Sequence, residues 1–341
     1  MSKLKVGILT AGGDCPGLNA AIRGVGKTLI MKYNAEVYGI SSGFLGLIEN
    51  DIFRLHEEDL SNILTIGGTI LGTSREKPFK KSDQYLEEID KPTVIRENYD
   101  NLGLDCLVCI GGNGTIKTAY RLSKEGLNVI AIPKTIDNDV YGTDFTFGFH
   151  SALYIATEAI DRLHTTANAH RRIMVIELMG HNAGWLTLYA GIAGGGDVIM
   201  IPELDYDFEV IAEYLNDRIA KNKKSSIIVV AEGLKRDKGK SAARYVVKKL
   251  SSLINQELRE TILGYIQRGG TPTPNDRILA TRYGAYAAQL IAGGNYNNMV
   301  AVRDDNLVAV PLSETAGKLK LVPPDHALIQ QGLNVGTCFG K

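Results

Sequence analysis

The sequence predicts an α/β protein of two lobes, each a mainly parallel sheet covered by helices. Three observations carry this expectation. Short apolar runs alternate with longer amphipathic ones along the chain. The short runs are apolar at successive positions, as in strands buried on both faces and joined through helices. The length, 341 residues, suits about two domains with substantial cores.

Taken in order, strands are expected at Lys5–Thr10, Glu36–Ile40, Cys106–Ile110, Val129–Ile132, Ile173–Leu178, Val198–Ile201, Ile227–Ala231, Thr261–Tyr265 and Met299–Val302. Each is a β-branched or aliphatic run bounded by glycine, proline or polar residues. Helices are expected at Leu18–Lys32, Tyr85–Asn98, Ser151–Ala167, Phe208–Lys221, Ala242–Glu257 and Asp276–Ile291, where apolar residues recur at helical spacing. The loop 235–240 is charged and reads as surface.

Charge and composition exclude several classes of function. Lys plus Arg equal Asp plus Glu at 38 each, which argues against a wholesale nucleic-acid or membrane-surface binder. No stretch approaches the roughly 20 apolar residues of a membrane span. The opening MSKLKVGILTAGGD meets glycines too soon for a signal peptide. Cys106 and Cys109 form a CxxC inside the apolar run LDCLVCI, where a strand points them to opposite faces. With Cys15 and Cys338 they read as buried thiols, so a cytoplasmic, reducing setting is expected.

Three strand ends are chemically unusual. In ILTAGGDCPGLNAAIRG, Gly12 and Gly13 follow a strand, and Pro16 and Gly17 open a helix. In LVCIGGNGTIKTA, Gly111, Gly112 and Gly114 stand between a strand and a helix. Missing side chains let backbone N–H groups approach phosphate oxygens, and a helix N-terminus favours an anion by about 0.3–2 kcal/mol. The third end, IAIPKTIDNDV, closes with Lys134, Thr135, Asp137 and Asp139. On extended backbone the two carboxylates would project the same way, with Cα atoms ~6–7 Å apart. That spacing suits one carboxylate facing a hydroxyl and another facing a hydrated Mg²⁺ that carries phosphates. An Asx-turn with a helix cap fits the same spacing equally well.

Two familiar motifs are set aside. GVGKT, residues 24–28, lacks the first P-loop glycine, since residue 21 is alanine, and it sits inside a helical pattern. Asp14 breaks a GxGxxG dinucleotide fingerprint in the first turn.

In order, from residue 4 to about 303, GGDCPGLNAAIRG, GGTILGTSR (67–75), GGNGT, PKTIDNDV, MGHNAGW (179–185), AEG (231–233) and LGYIQRGGTPTPNDRILATRYGA (263–285) resemble the phosphofructokinase family. The resemblance implies two α/β lobes with an active site between them. It implies that residues 1–148 and 268–316 form a donor (ATP)-binding lobe. Residues 149–267 and 317–341 would form a lobe for fructose 6-phosphate. The implied activity is Mg²⁺-dependent phosphoryl transfer from ATP to the 1-hydroxyl of fructose 6-phosphate.

The roles are likewise implied by resemblance. Asp137 corresponds to the general base, and Asp139, with Asn113, to the metal site. Thr135 and Lys134 lie at the transferred phosphoryl group, and Arg75 steadies the donor phosphates. Gly12, Gly13, Gly112, Asn113, Gly114 and Thr115 line the donor. Met179, Gly180, His181, Glu232, Tyr265 and Arg268 correspond to sugar-phosphate contacts. Arg172 and Arg259 correspond to arginines lent across a subunit interface, which implies a homo-oligomer, a tetramer by resemblance. Arg23 and Lys27 resemble part of a bacterial effector site, with His56 near a position where another basic ligand is expected.

The sequence also departs from the family pattern. Asn113 replaces the aspartate of GGDG, His181 the arginine of MGR, Tyr265 the histidine of LGHIQRGG, and Lys134 the glycine of PGTIDND. Pyrophosphate users in the family usually carry aspartate where Gly114 stands, together with the lysine, whereas ATP users carry glycine. Gly114 therefore points to ATP and Lys134 to pyrophosphate. The first carries more weight, because an aspartate there would add bulk and like charge on the path of a nucleotide α-phosphate. A pyrophosphate-dependent enzyme and a non-catalytic ligand sensor are the competing readings. The intact Asp137, Asp139 and Arg75 argue against the sensor. The length of the QRGGTPTPNDR match argues against a lipid or NAD kinase.

Overall fold

A computed structural model describes residues 3–80, 90–236, 239 and 241–341. The chain divides into two compact units. The first comprises Met1–Thr135, Val140–His150 and Arg268–Leu319, the second Ile136–Asp139, Ser151–Gln267 and Lys320–Lys341. Elements are numbered in chain order.

The first unit is built on an eight-stranded sheet of β1 (Lys5–Ala11), β2 (Glu36–Ile40), β3 (Ile52–Leu55), β4 (Cys106–Gly111), β5 (Val129–Thr135), β6 (Phe147–Gly148), β11 (Asn298–Arg303) and β12 (Asn306–Pro311). The order is β12-β11-β5-β4-β1-β2-β3, with β6 paired to β5. Pairing is parallel except β2–β3 and β11–β12, the two edges. Around it lie α1 (Leu18–Tyr33), α2 (Phe44–Glu49), α3 (Lys91–Leu102), α4 (Asn113–Lys124), α9 (Pro274–Ala292) and α10 (Leu312–Thr315).

β4 and β5 are buried at every position, as expected of strands covered on both faces. All four cysteines are buried and unpaired, so the CxxC of β4 is core. The glycines of GVGKT have a packing reason. A Cβ on Gly24 would stand 2.9 Å from the Thr281 carbonyl oxygen, and one on Gly284 would stand 2.5 Å from that of Ala21. α1 and α9 therefore meet backbone to backbone.

The second unit carries a four-stranded, wholly parallel sheet, β10-β7-β9-β8, from β7 (Ile173–Leu178), β8 (Val198–Met200), β9 (Ser226–Ala231) and β10 (Leu258–Ile262). Its helices are α5 (Phe149–His170), whose first two residues belong to the first unit, α6 (Trp185–Ala193), α7 (Phe208–Ala220), α8 (Ala242–Leu250) and α11 (Ala327–Asn334).

Three expectations need correction. The last strand of the second unit is Leu258–Ile262 rather than Thr261–Tyr265, because Arg259 and Glu260 pair with β7 and Gly264–Arg268 closes into a 3₁₀ turn. The helix expected to reach Glu257 ends at Leu250. Its apolar periodicity continues, but Ile254 reaches the core from a turn. Of the helix expected at Tyr85–Asn98, residues 85–89 lie outside the described residues, and α3 starts at Lys91 with Pro92 in its first turn. Residues 237, 238 and 240 of the charged loop also lie outside them. No helix among the described residues is long and apolar enough to cross a membrane.

Candidate active site

In the first unit β5, β4 and β1 lie side by side, with Ala11 opposite Gly111 and Gly111 opposite Pro133. All three unusual strand ends therefore leave the same carboxyl edge as neighbours. The chain runs from β1 to β2 on one side and returns to β4 on the other. The order thus reverses between β1 and β4, the place where open α/β sheets bind ligands.

Hydrogen bonds knit this edge together. Gly12, at φ 85, adopts a left-handed turn that suits glycine. Its N–H donates to the Ser74 carbonyl at 2.9 Å, and its own carbonyl accepts from the Thr73 hydroxyl at 2.7 Å. These two bonds hold the GTSR loop against the turn and fix the base of Arg75, which is exposed. Thr115, buried on α4, donates to the Ala11 carbonyl at 3.3 Å. Lys134, 3% exposed, donates through Nζ to the Gly13 carbonyl. Arg268 falls in this unit and donates to the Asp14 carbonyl at 3.1 Å, its guanidinium lying over Gly13.

The two helices that start at this edge are headed by glycines, Gly17 for α1 and Gly112 for α4, which carry no capping side chain. Neither has an acidic residue in its first turn. The start of α4 is reachable from solvent, so its positive pole can favour an anion, whereas residues 15–20 at the start of α1 are buried. Gly114 sits exposed in the first turn of α4, and a Cβ there would meet nothing within 4 Å. Cys15 is buried behind the first turn. Burial pushes its thiol up to about 12, with the Lys134 ammonium pulling the other way, so it is no nucleophile at neutral pH.

Of the two conformations open to the acid stretch, extended backbone or a turn, the chain takes the turn. The chain turns at Ile136–Asp137, and Asn138 is left-handed at φ 51. The carboxylates of Asp137 and Asp139 are therefore placed by a turn, and the strand-spacing argument does not apply. Thr135, Asp137, Asn138 and Asp139 are all buried, at 7, 8, 2 and 5% exposure. Among the described residues no three His, Cys, Asp or Glu side chains cluster as a metal cage. A single buried carboxylate such as Asp139 fits an ion that keeps its waters and is shared with substrate phosphates.

In the second unit Met179, Gly180 and His181 leave the carboxyl end of β7, and Glu232 leaves that of its neighbour β9, with Leu178 opposite Ala231. The Glu232 carboxylate accepts from the N–H groups of Gly180 (3.2 Å) and His181 (2.8 Å). Gly180 is at φ 152, and a Cβ would stand 2.6 Å from the Ala183 carbonyl, so the turn requires glycine. His181 is left-handed at φ 52 and exposed.

Arg172 and Arg259 lie at the other end of this sheet. Arg172 precedes β7, and Arg259 pairs with Met174 near its start. Seven residues of strand at about 3.3 Å each separate Arg172 from Met179 by roughly 20 Å. Both arginines grip the Glu257 carboxylate, which holds its carboxyl below the usual range, the Arg172 hydrogen bond contributing most. Tyr265 is 74% exposed on the 3₁₀ turn.

Sequence reasoning missed Glu203, Lys320 and Trp185. Glu203 accepts from the N–H groups of Gly184 and Val322 (2.9 and 3.0 Å). Lys320 donates to Asn138 Oδ1 at 3.1 Å. None lies in a local motif that marks it as a partner of the acid stretch. Of the suspected effector residues, Lys27 pairs with exposed Glu57 at 3.3 Å, and His56 is exposed.

A family model described as phosphofructokinase matches residues 5–291. The chain is 55% identical to the ATP-dependent 6-phosphofructokinase 3 of Bacteroides thetaiotaomicron, over 99% of this chain and 100% of that one. It is 57% identical to the ATP-dependent 6-phosphofructokinase of Spirochaeta thermophila, over 98 and 97% of the two chains. Among solved structures it superposes on the Pichia pastoris phosphofructokinase in its T-state with a TM-score of 0.84 and 31% identity, covering 93% of this chain and 36% of the longer yeast chain.

Proposed function

The chain belongs to the phosphofructokinase family, and from that premise we propose that it is an ATP-dependent 6-phosphofructokinase. The reaction is transfer of the γ-phosphoryl group of ATP to the 1-hydroxyl of fructose 6-phosphate. The observation that carries the reading is the juxtaposition of β1, β4 and β5 in one sheet. It puts two glycine-headed helix N-termini beside the strand that runs into Thr135, Asp137 and Asp139.

The first unit binds the donor. The Gly12–Gly13 turn lies against the phosphates, backbone N–H groups of the Gly112–Thr115 turn hold them, and Arg75 reaches them from the loop that Gly12 anchors. Thr135 meets the transferred phosphoryl group. Asp137 accepts the proton of the sugar hydroxyl as that oxygen bonds to phosphorus and the bridging P–O bond of the donor breaks, releasing ADP. Asp139, with the amide oxygen of Asn113, would hold Mg²⁺, which neutralises the donor phosphates when bound. Lys134 supports the Gly13 carbonyl of the first turn.

The second unit binds fructose 6-phosphate through Met179, Gly180, His181 and Glu232, with Tyr265 as a further contact; Arg268, a sugar-phosphate contact by family resemblance, belongs to the first unit. The roughly 20 Å between Arg172 and Met179 supports assigning Arg172 and Arg259 to the site of a neighbouring subunit. The protein is accordingly a homo-oligomer, a tetramer by family resemblance, acting in the cytoplasm.

ATP is the preferred donor. Its support is the exposed, unobstructed position of Gly114 and the ATP-dependent relatives that match the full chain. Turnover with fructose 6-phosphate and Mg²⁺, comparing ATP with pyrophosphate, tests this. Activity with ATP is expected to dominate; turnover with pyrophosphate and none with ATP would overturn the donor assignment.

A further inference from the structure

Beyond the family motifs, the segment after Leu319 does something specific to the acid turn. The Lys320 backbone N–H donates to the Asp139 carbonyl at 2.9 Å, and its ammonium donates to Asn138 Oδ1 at 3.1 Å. Its carbonyl accepts from Trp185 Nε1 at 2.8 Å, and the ammonium stands 5.2 Å from the centroid of the same indole. Trp185 is 7% exposed and meets the His326 ring edge-on at 5.2 Å. Two residues further on, Val322 donates to the Glu203 carboxylate, which also accepts from Gly184, the residue before Trp185. Lys320 is thus clamped on one side to the turn that follows β7. On its other side it holds the two residues after Asp137. All these groups belong to the second unit.

Asn138 is the residue that makes the turn, buried and left-handed. Asparagine tolerates that conformation, which sets the backbone and not the side-chain torsion. A cationic donor on the amide oxygen fixes the side chain, and a backbone bond to Asp139 fixes the next peptide. Charge-assisted bonds to buried acceptors are the strong ones.

We infer that Lys320 is a positioning residue for phosphoryl transfer: through Asn138 and the Asp139 peptide it locks the turn that aims Asp137 and Asp139. Neither the family model, which stops at residue 291, nor the motifs assign it a part. The inference rests on Asp137 and Asp139 acting in the reaction. Lys320 itself need touch no substrate.

The test uses the full-length protein and four variants: Lys320→Met, Lys320→Arg, Asn138→Gly and the double variant Lys320→Met/Asn138→Gly. Lys320→Met keeps the backbone bond and most of the stem over Trp185 but removes the ammonium. Its kcat should fall about tenfold with KM for ATP and fructose 6-phosphate within about twofold, the pattern of a group whose loss is felt in the transition state. Lys320→Arg should recover most of that loss. Because the effect runs through the Asn138 amide, Lys320→Met should cost little further in the Asn138→Gly background. Amide hydrogen exchange of the peptide containing Ile136–Val140, read without substrates, should quicken in Lys320→Met while peptides from β1 and β4 stay unchanged. Unchanged exchange there, or an unchanged kcat, would overturn the inference, as would additive losses in the double variant. A wild-type protein inactive with every donor would overturn the functional reading instead, and the exchange result would still decide whether Lys320 locks the turn.

Discussion

The strand-to-helix turns of the two units are finished in different ways. At the carboxyl edge of the first sheet the capping residues of α1 and α4 are glycines, and the reachable start of α4 presents a positive helix pole. In the second unit α6 is likewise headed by a glycine, Gly184, but the other two helices that follow strands of the sheet are closed by their own side chains. Asp207 caps α7 by accepting from Glu209 N–H, and Ser241 caps α8 by accepting from Arg244 N–H. At the ends of its strands the Glu232 carboxylate holds the turn of Met179–His181 through the Gly180 and His181 N–H groups. The difference teaches how each surface matches its proposed ligand. A polyphosphate donor presents many equivalent oxygens, which a row of peptide N–H groups can hold. A sugar phosphate presents hydroxyls and a terminal charge at fixed positions, which directional side chains can tell apart.

The largest effect is expected at the acid turn. Asp137→Asn should lower kcat by at least roughly 10²-fold with smaller changes in KM. Near-normal kcat would return the turn to a purely structural role. Next, the second unit's arginines are expected to serve another copy of the chain. Mixing Asp137→Asn with Arg172→Ser, each weakly active alone, should regain activity as subunits exchange and some interfaces hold both native groups. Failure to regain any, with exchange verified by mass, would place Arg172 outside a shared site.

A narrower test addresses the first surface alone. Gly114→Asp has open space to enter and a backbone that accepts it, so folding should be unchanged. The specificity constant for ATP should fall at least about tenfold relative to that for pyrophosphate, equal to about 1.4 kcal/mol of discrimination. An unchanged ratio would locate donor choice elsewhere. The smallest effect is expected at the closed helices of the second unit. Asp207→Ala should cost about 1 kcal/mol of stability, seen as a lower midpoint in thermal unfolding, and leave kcat unchanged.

Much of the first surface was legible in the sequence because its signals are local. Gly12–Gly13 and Gly112–Gly114 each lie between an apolar strand and a helix, so the chain itself announces strand end, turn and N-terminus. TIDND was legible as a chemical cluster but not as a shape. Nothing in its composition distinguishes extended backbone from the turn that Asn138 makes. The second unit was less readable. Ile254 continues a helical pattern yet packs from a turn, because burial satisfies the periodicity without a helix. α6 was missed because it is nearly apolar all round and has no polar face to mark its period. Lys320 was invisible, since its partner Asn138 is 182 residues away and only the fold brings them together.

The backbone contact between Gly24 and Gly284 has a consequence for how the protein is made. α1 emerges early from the ribosome, and its partner α9 is roughly 250 residues further along the chain. At 5–20 residues per second that is a wait of roughly 10–50 s. Throughout it, the face of α1 that meets α9 has no helix to cover it. The nascent chain is thus exposed to sticking and to capture by holding chaperones for most of its synthesis. Enlarging either glycine should reduce the yield of folded protein during expression more than it alters the catalytic constants of the molecules that do fold.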